Sequence, residues 1–130
     1  MIFSINILGA PYSRQSAHSA YQFAEAVVQQ GHSIYRIFFY SDAVHVASDY
    51  ASPPQDEINI GKKWQTFAND NQIDLVVCVA AGIRRGILNA TEAKRYGKAG
   101  HNLLDGYDLS GLGQLIDATI HSDRLITFGS

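Results

Sequence analysis

Cysteine occurs once in the 130 residues, at position 78. A lone thiol excludes an internal disulfide, a C-x-x-C redox pair and a cysteine-built zinc site. Covalent chemistry at Cys78 must therefore be completed by another molecule. Proline is scarce, at three residues, and no Pro/Gly/Ser-rich stretch is long enough to be a linker. Neither an internal repeat nor a low-complexity tract is present, so residues 1–130 read as a single domain. Charged residues make up only 17% and the net charge is -2, which lacks the basic excess that phosphate-backbone binding needs and disfavours direct nucleic-acid contact. No apolar run approaches the roughly 20 residues of a membrane span. The apolar opening, Met1–Leu8, has no basic leader and is interrupted by Asn6, so the expectation is a soluble cytoplasmic protein and not a secreted one. His18, His32, His45, His101 and His121 are scattered with no i, i+4 pair, no G-x-S-x-G elbow exists, and neither a metal nor a cofactor is expected.

What is present is an alternation of short apolar runs and amphipathic segments. At 46% hydrophobic residues, a chain of this length can bury roughly two-thirds of its unfolded surface. Ile2–Leu8 reads as a buried strand that ends in the turn cluster Gly9-Ala10-Pro11-Tyr12. Ala20, Phe23, Ala24, Val27 and Val28 then recur at helical spacing, with Ser16 as the expected N-cap and Gly31 at the C-terminal end. Ser33–Tyr40 is a second strand. Ser52-Pro53-Pro54-Gln55 looks like a helix start leading to Ile60, Trp64, Phe67 and Ala68.

Asp74–Val79 is short and apolar enough for the inside of a parallel sheet. Asn89 and Glu92 have capping-box spacing before a short helix that ends near Gly97. Ser110 is placed to cap a helix carrying Leu112, Leu115, Ile116 and Ile120, and Arg124–Phe128 closes as a last strand. Residues 97–108 carry no assignable pattern. The alternation predicts one α/β domain, a mainly parallel sheet with helices on both faces.

In open α/β sheets, sites gather beyond the carboxyl ends of the strands, where following helices expose their backbone amides. Cys78 falls there, followed by small residues and by Arg84-Arg85. Amide dipoles and cations both favour the nucleophilic thiolate. Cysteine is equally at home as a small buried hydrophobe, and position alone leaves both roles open. Tyr12 is a candidate for lining the same sheet edge. The Gly9–Ser16 turn could cradle a nucleotide or flavin phosphate, although it matches neither G-x-G-x-x-G nor a Walker loop. Gly111 and Gly113 in the first turn of a helix cost stability unless backbone approaches something closely, and packing against the sheet or a neighbouring subunit accounts for them better than a ligand does.

Gly9–Tyr12, Ala20–Ala24 with Gly31-His32, Phe38–Tyr40, Cys78–Ala81 with Arg84–Gly86, and Leu109–Gly113 before Asp123-Arg124 occur in an order that resembles the DsrE-like sulfur-relay family. The resemblance implies a flavodoxin-like α/β fold and a sulfurtransferase in which Cys78 carries a persulfide. It further implies a heterohexamer with TusB-like and TusC-like subunits, two copies of each of three chains. Sulfur would arrive from a TusA-like donor and leave to a TusE-like acceptor for 2-thiolation of the tRNA wobble uridine. Arg84, Arg85 and Tyr12 are supporting candidates on chemical grounds only. The alternatives are a small nucleotide- or flavin-binding module and a non-catalytic assembly subunit.

Overall fold

A computed structural model describes residues 1–130. Five strands, β1 (Ile2–Ile7), β2 (Ser33–Phe39), β3 (Asp74–Cys78), β4 (Tyr107–Ser110) and β5 (Arg124–Phe128), form one sheet in the order β4-β3-β2-β1-β5. All four pairings are parallel. Between them lie α1 (Ser16–Gln29), a 3-10 helix (Ser41–Ala47), α2 (Ile60–Asn71), α3 (Val79–Arg84), α4 (Ala90–Arg95) and α5 (Gly113–His121). The first three crossovers step in one direction along the sheet and the last reverses. Right-handed connections therefore put α1 through α4 on one face and α5 alone on the other.

Register and alternation sort the side chains between those faces. Phe3, Ile5, Ile7, Ile37, Phe39, Leu75, Val77 and Tyr107 share the many-helix face. There Trp64 of α2 is fully buried and meets Phe39, Tyr21 and Phe67 edge-on, with ring centroids 6.0, 5.1 and 6.0 Å apart. Ser4, Asn6, Arg36, Phe38, Val76 and Cys78 share the α5 face. A bulge in the β1–β2 ladder sets Phe3 opposite Ile34 but Ser4 opposite Arg36. The extra residue, Tyr35, is thereby turned towards α5 beside Arg36.

The local expectations fail at three helix starts, each for an identifiable reason. Ser16 is the first residue of α1 and not its cap, because its Oγ accepts a hydrogen bond from the Gly9 N–H at 3.0 Å. A side chain at Gly9 would collide with that Oγ, so the glycine answers to close packing. Ser52 caps nothing: its hydroxyl donates to the Tyr50 carbonyl, and α2 starts eight residues later at Ile60, with Asn59 Oδ1 accepting from the Lys62 N–H at 3.2 Å. At the second residue of α2, Gly61 lies so close to the Val46 carbonyl that a Cβ there would collide, which docks the helix against the 3-10 segment. Ser110 ends β4, and α5 begins at Gly113 with no side-chain cap.

Asn89 does cap α4, accepting from the Glu92 N–H at 2.9 Å. The patternless stretch 97–108 is pinned through backbone and amide bonds, Leu104 N–H to the Ala47 carbonyl and Leu88 N–H to Asn102 Oδ1, both 2.9 Å. It then enters β4, beside β3.

Candidate functional site

Cys78 is the last residue of β3, and Val79 is the first of α3. The strand passes into the helix with no loop residue between, because Val79-Ala80-Ala81-Gly82 is small enough for α3 to turn back tightly over the sheet. A Cβ on Gly82 would stand 3.2 Å from Leu109 Cδ2, so this glycine sets how near α3 comes. Cys78 occupies the N-cap position of α3, where the helix's unpaired amides converge. Its register partner on β4 is Ser110. It is buried, with 2% of its surface exposed, and is a free thiol.

The two arginines follow at the C-terminal end of α3. Arg85 is at the opposite end of the six-residue α3, roughly 9 Å along its axis at 1.5 Å per residue. Its Nε donates to Asp42 Oδ1 at 2.8 Å and its Nη1 to the Ala81 carbonyl at 3.2 Å. Its charge is thus matched by a carboxylate of the 3-10 helix and by a carbonyl of α3. Arg84 is exposed. Of the expected pair, Arg85 is engaged by a partner 43 residues distant in sequence.

Tyr12 lies in the turn after β1. Its backbone is left-handed, at φ 67°, and its hydroxyl donates to the Ile58 carbonyl at 3.2 Å while accepting from the Ile60 N–H at 3.3 Å. It straps residues 58–60 over the β1–α1 turn. The resulting cleft of about 490 Å³, with Arg14, His18, Asp56 and Glu57 on its walls, does not include Cys78.

Sequence patterning did not reveal the ionic cluster under α5. Arg36, 7% exposed, donates to Asp74 Oδ2 at 3.0 Å, Asp117 Oδ2 at 2.9 Å and the Gln114 carbonyl at 2.8 Å. Tyr35 Oη donates to the same Asp117 oxygen at 2.7 Å, and the His121 ring stacks on Tyr35 at 5.3 Å. The hydrogen bond from Tyr35, then that from Arg36, holds the Asp117 carboxyl below its ordinary range. Burial pulls the Arg36 guanidinium down, but the bonds to Asp74 and Asp117 outweigh it and the net shift is upward. The cluster ties β2, β3 and α5 together.

Residues 1–128 match the DsrE/DsrF-like family. The chain belongs to that family. It is 46% identical over 129 residues to the "Putative sulfurtransferase DsrE" of Allochromatium vinosum, covering 99% of both chains. It is 46% identical to the "Sulfurtransferase TusD homolog" of Pseudomonas aeruginosa, over 99% of this chain and 98% of that one. An Enterobacter protein named "Sulfurtransferase TusD" is 42% identical over 98% of this chain and all of its own. Among solved structures, the YchN protein of E. coli superposes with a TM-score of 0.75 at 23% identity, covering 98% of this chain and 100% of that one. That similarity shows the shared fold. The full-length similarity to TusD-type proteins agrees with the order of motifs around Cys78, and no helix of the chain is long and apolar enough to cross a membrane.

Proposed function

We propose that this member of the DsrE/DsrF-like family is a sulfurtransferase that carries sulfur on Cys78. The observation that carries the reading is the place of the only cysteine: the carboxyl end of an interior parallel strand, at the first turn of a helix, in a chain whose full-length relatives bear sulfurtransferase names. The Cys78 thiolate attacks the terminal sulfur of a donor persulfide, R–S–SH. The donor S–S bond breaks, R–S⁻ leaves, and Cys78–S–SH forms with its proton on the outer sulfur. An acceptor thiolate then attacks that outer sulfur and releases Cys78 as thiolate. Neither step changes the total oxidation level. Having no second cysteine protects the intermediate, since an internal thiol would discharge it as hydrogen sulfide.

The physiological setting proposed is the sulfur relay for 2-thiolation of the tRNA wobble uridine, between a TusA-like donor and a TusE-like acceptor, in complex with TusB-like and TusC-like subunits. Donor and acceptor supply what this chain lacks, a thiol before and after Cys78. The low net charge fits a role that hands sulfur to a protein and not to RNA.

Burial of Cys78 to 2% favours a second reading, a packing cysteine in an assembly subunit. Intact mass after exposure to a persulfide donor separates the two. A carrier gains one sulfur atom that reductant removes, and Cys78→Ser gains none while its circular dichroism is unchanged. Wild-type protein that stays at its original mass, alone and with its relay partners, defeats the carrier reading. Binding of flavin or nucleotide at the Gly9–Ser16 turn, independent of Cys78, would mark the third alternative.

A further inference from the structure

Ser110 has the sequence signal of a helix cap but caps nothing, and its hydroxyl makes no hydrogen bond within the chain. Other serines set into the fold are committed. Ser16 Oγ accepts from the Gly9 N–H at 3.0 Å, and Ser4 Oγ, on the α5 face, is bonded to Ser122 Oγ at 2.6 Å. Half-buried Ser110 stands instead directly beside Cys78. The two are Cα partners in the parallel β3–β4 ladder, so their side chains leave the same face of the sheet. Paired strands lie about 4.8 Å apart, and a rotation about χ1 is enough to bring Oγ against Sγ.

The charged groups around this face are occupied or of the wrong sign. Arg36 lies beside Asp74 at the other end of β3, roughly 13 Å along the strand from Cys78, and is taken by Asp74 and Asp117. His121 of α5 stacks on Tyr35. Arg85 is held by Asp42, and Arg84, at the far end of α3, is exposed. On β4, Asp108 pairs with Val76 and so shares the face with Cys78, where a carboxylate disfavours negative charge on sulfur. Tyr40, which follows β2, packs its ring edge-on to Phe38 at 6.2 Å. An uncommitted hydroxyl in register with the sulfur is what the sheet itself supplies.

We infer that the Ser110 hydroxyl donates a hydrogen bond to Cys78 Sγ whenever that sulfur bears negative charge. This role rests on the function proposed above for Cys78. A thiol is a weak acceptor and a thiolate a strong one, so the bond belongs to the charged form and is not made to the neutral thiol. In the first step it orients the attacking thiolate towards the outermost strand, β4. In the second, the acceptor takes the outer sulfur, the S–S bond breaks and its electron pair returns to Cys78 Sγ, where the hydroxyl meets the growing charge. The proton stays on the serine oxygen throughout. Gly111, the next residue, has no atom within 4 Å of where a Cβ would stand, so packing within the chain does not require it, and it leaves room beside the hydroxyl.

With one cysteine in the chain, the ultraviolet absorbance of its thiolate can be followed against pH as the difference from Cys78→Ser. In Ser110→Ala the ratio of thiolate to thiol at pH 7 should fall about fivefold, with circular dichroism unchanged. Ser110→Thr, which keeps the hydroxyl and suits a strand, should hold the wild-type ratio. Chains first loaded from a persulfide donor should pass sulfur to a small thiol about fivefold more slowly in Ser110→Ala, and at the wild-type rate in Ser110→Thr. An unchanged ratio in Ser110→Ala, or a threonine variant that behaves like alanine, overturns the role of Ser110. Wild-type protein that gains no sulfur defeats the carrier reading instead, and the absorbance profiles still decide whether the hydroxyl reaches the thiolate.

Discussion

The two faces of this sheet are built on different principles. The many-helix face is a ring-packed core: Trp64, Phe39, Tyr21 and Phe67 touch edge to face, and Tyr107 packs tilted against Phe39. The α5 face sets the polar Ser4, Asn6, Tyr35 and Arg36 beside Phe38 and Val76, with Cys78 at the end of β3, and α5 is held on it by ions and hydrogen bonds. Dispersion and burial on the first face are insensitive to pH and intolerant of lost volume. The second face is sensitive to charge and has the only nucleophilic sulfur. The chain concentrates its ring packing on one side and its buried ions, with its lone thiol, on the other.

The sharpest challenge to that contrast is Trp64→Ala, which empties the aromatic cluster and should cost about 3–5 kcal/mol in urea unfolding. A loss below 1 kcal/mol would mean the core does not rest on that ring. Arg36→Ala on the opposite face should cost less, about 1–3 kcal/mol, because Asp74 and Asp117 keep 53% and 36% of their side-chain surface and rehydrate. If it proves the costlier change, the order of the two faces is reversed.

Acid should act on the α5 face. The folded Asp117 carboxyl is held down by Tyr35 and Arg36, so its contribution is complete above the ordinary carboxylate pKa of ~4 and is lost as pH falls through its own lower value. Thermal melts between pH 7 and pH 2 should show this loss for wild type and a shallower fall for Asp117→Asn. Equal slopes would remove Asp117 from the account. The smallest effect belongs to Trp64→Phe. The indole Nε1 is buried without a partner, so the lost ring volume is offset by the removal of an unpaired donor, and stability should change by less than about 1 kcal/mol.

Much of this layout is legible in the residues, and the exceptions follow a rule. Strands β1, β2, β3 and β5 announce themselves through apolar runs, and Asn89 caps α4 through chemistry three residues away. Signals that depend on a distant partner do not show. Ser16 has the composition of a cap but serves the Gly9 amide, and Ser110 has the same composition but ends a strand. Edge strand β4 is only four residues, Tyr-Asp-Leu-Ser, with one buried side chain, too short and polar to stand out. At the candidate site, the position of Cys78 at the strand end was readable. The allegiance of Arg85 to Asp42, the strap formed by Tyr12 and the pairing of Arg36 with Asp74 and Asp117 were not. Each is settled by tertiary geometry. Of Tyr21, Tyr40, Tyr50 and Tyr107, none marked in the sequence as more exposed than another, only Tyr50 is largely open, at 66%.

The junction at Cys78 has no slack. With a strand residue on one side and a helical residue on the other, the sulfur cannot swing between partners as it would on a flexible arm. Moving it by more than a bond rotation means fraying the end of β3 or unwinding the first turn of α3. Under the function proposed above, the sulfur stays fixed at the sheet edge, and donor and acceptor must each come to it.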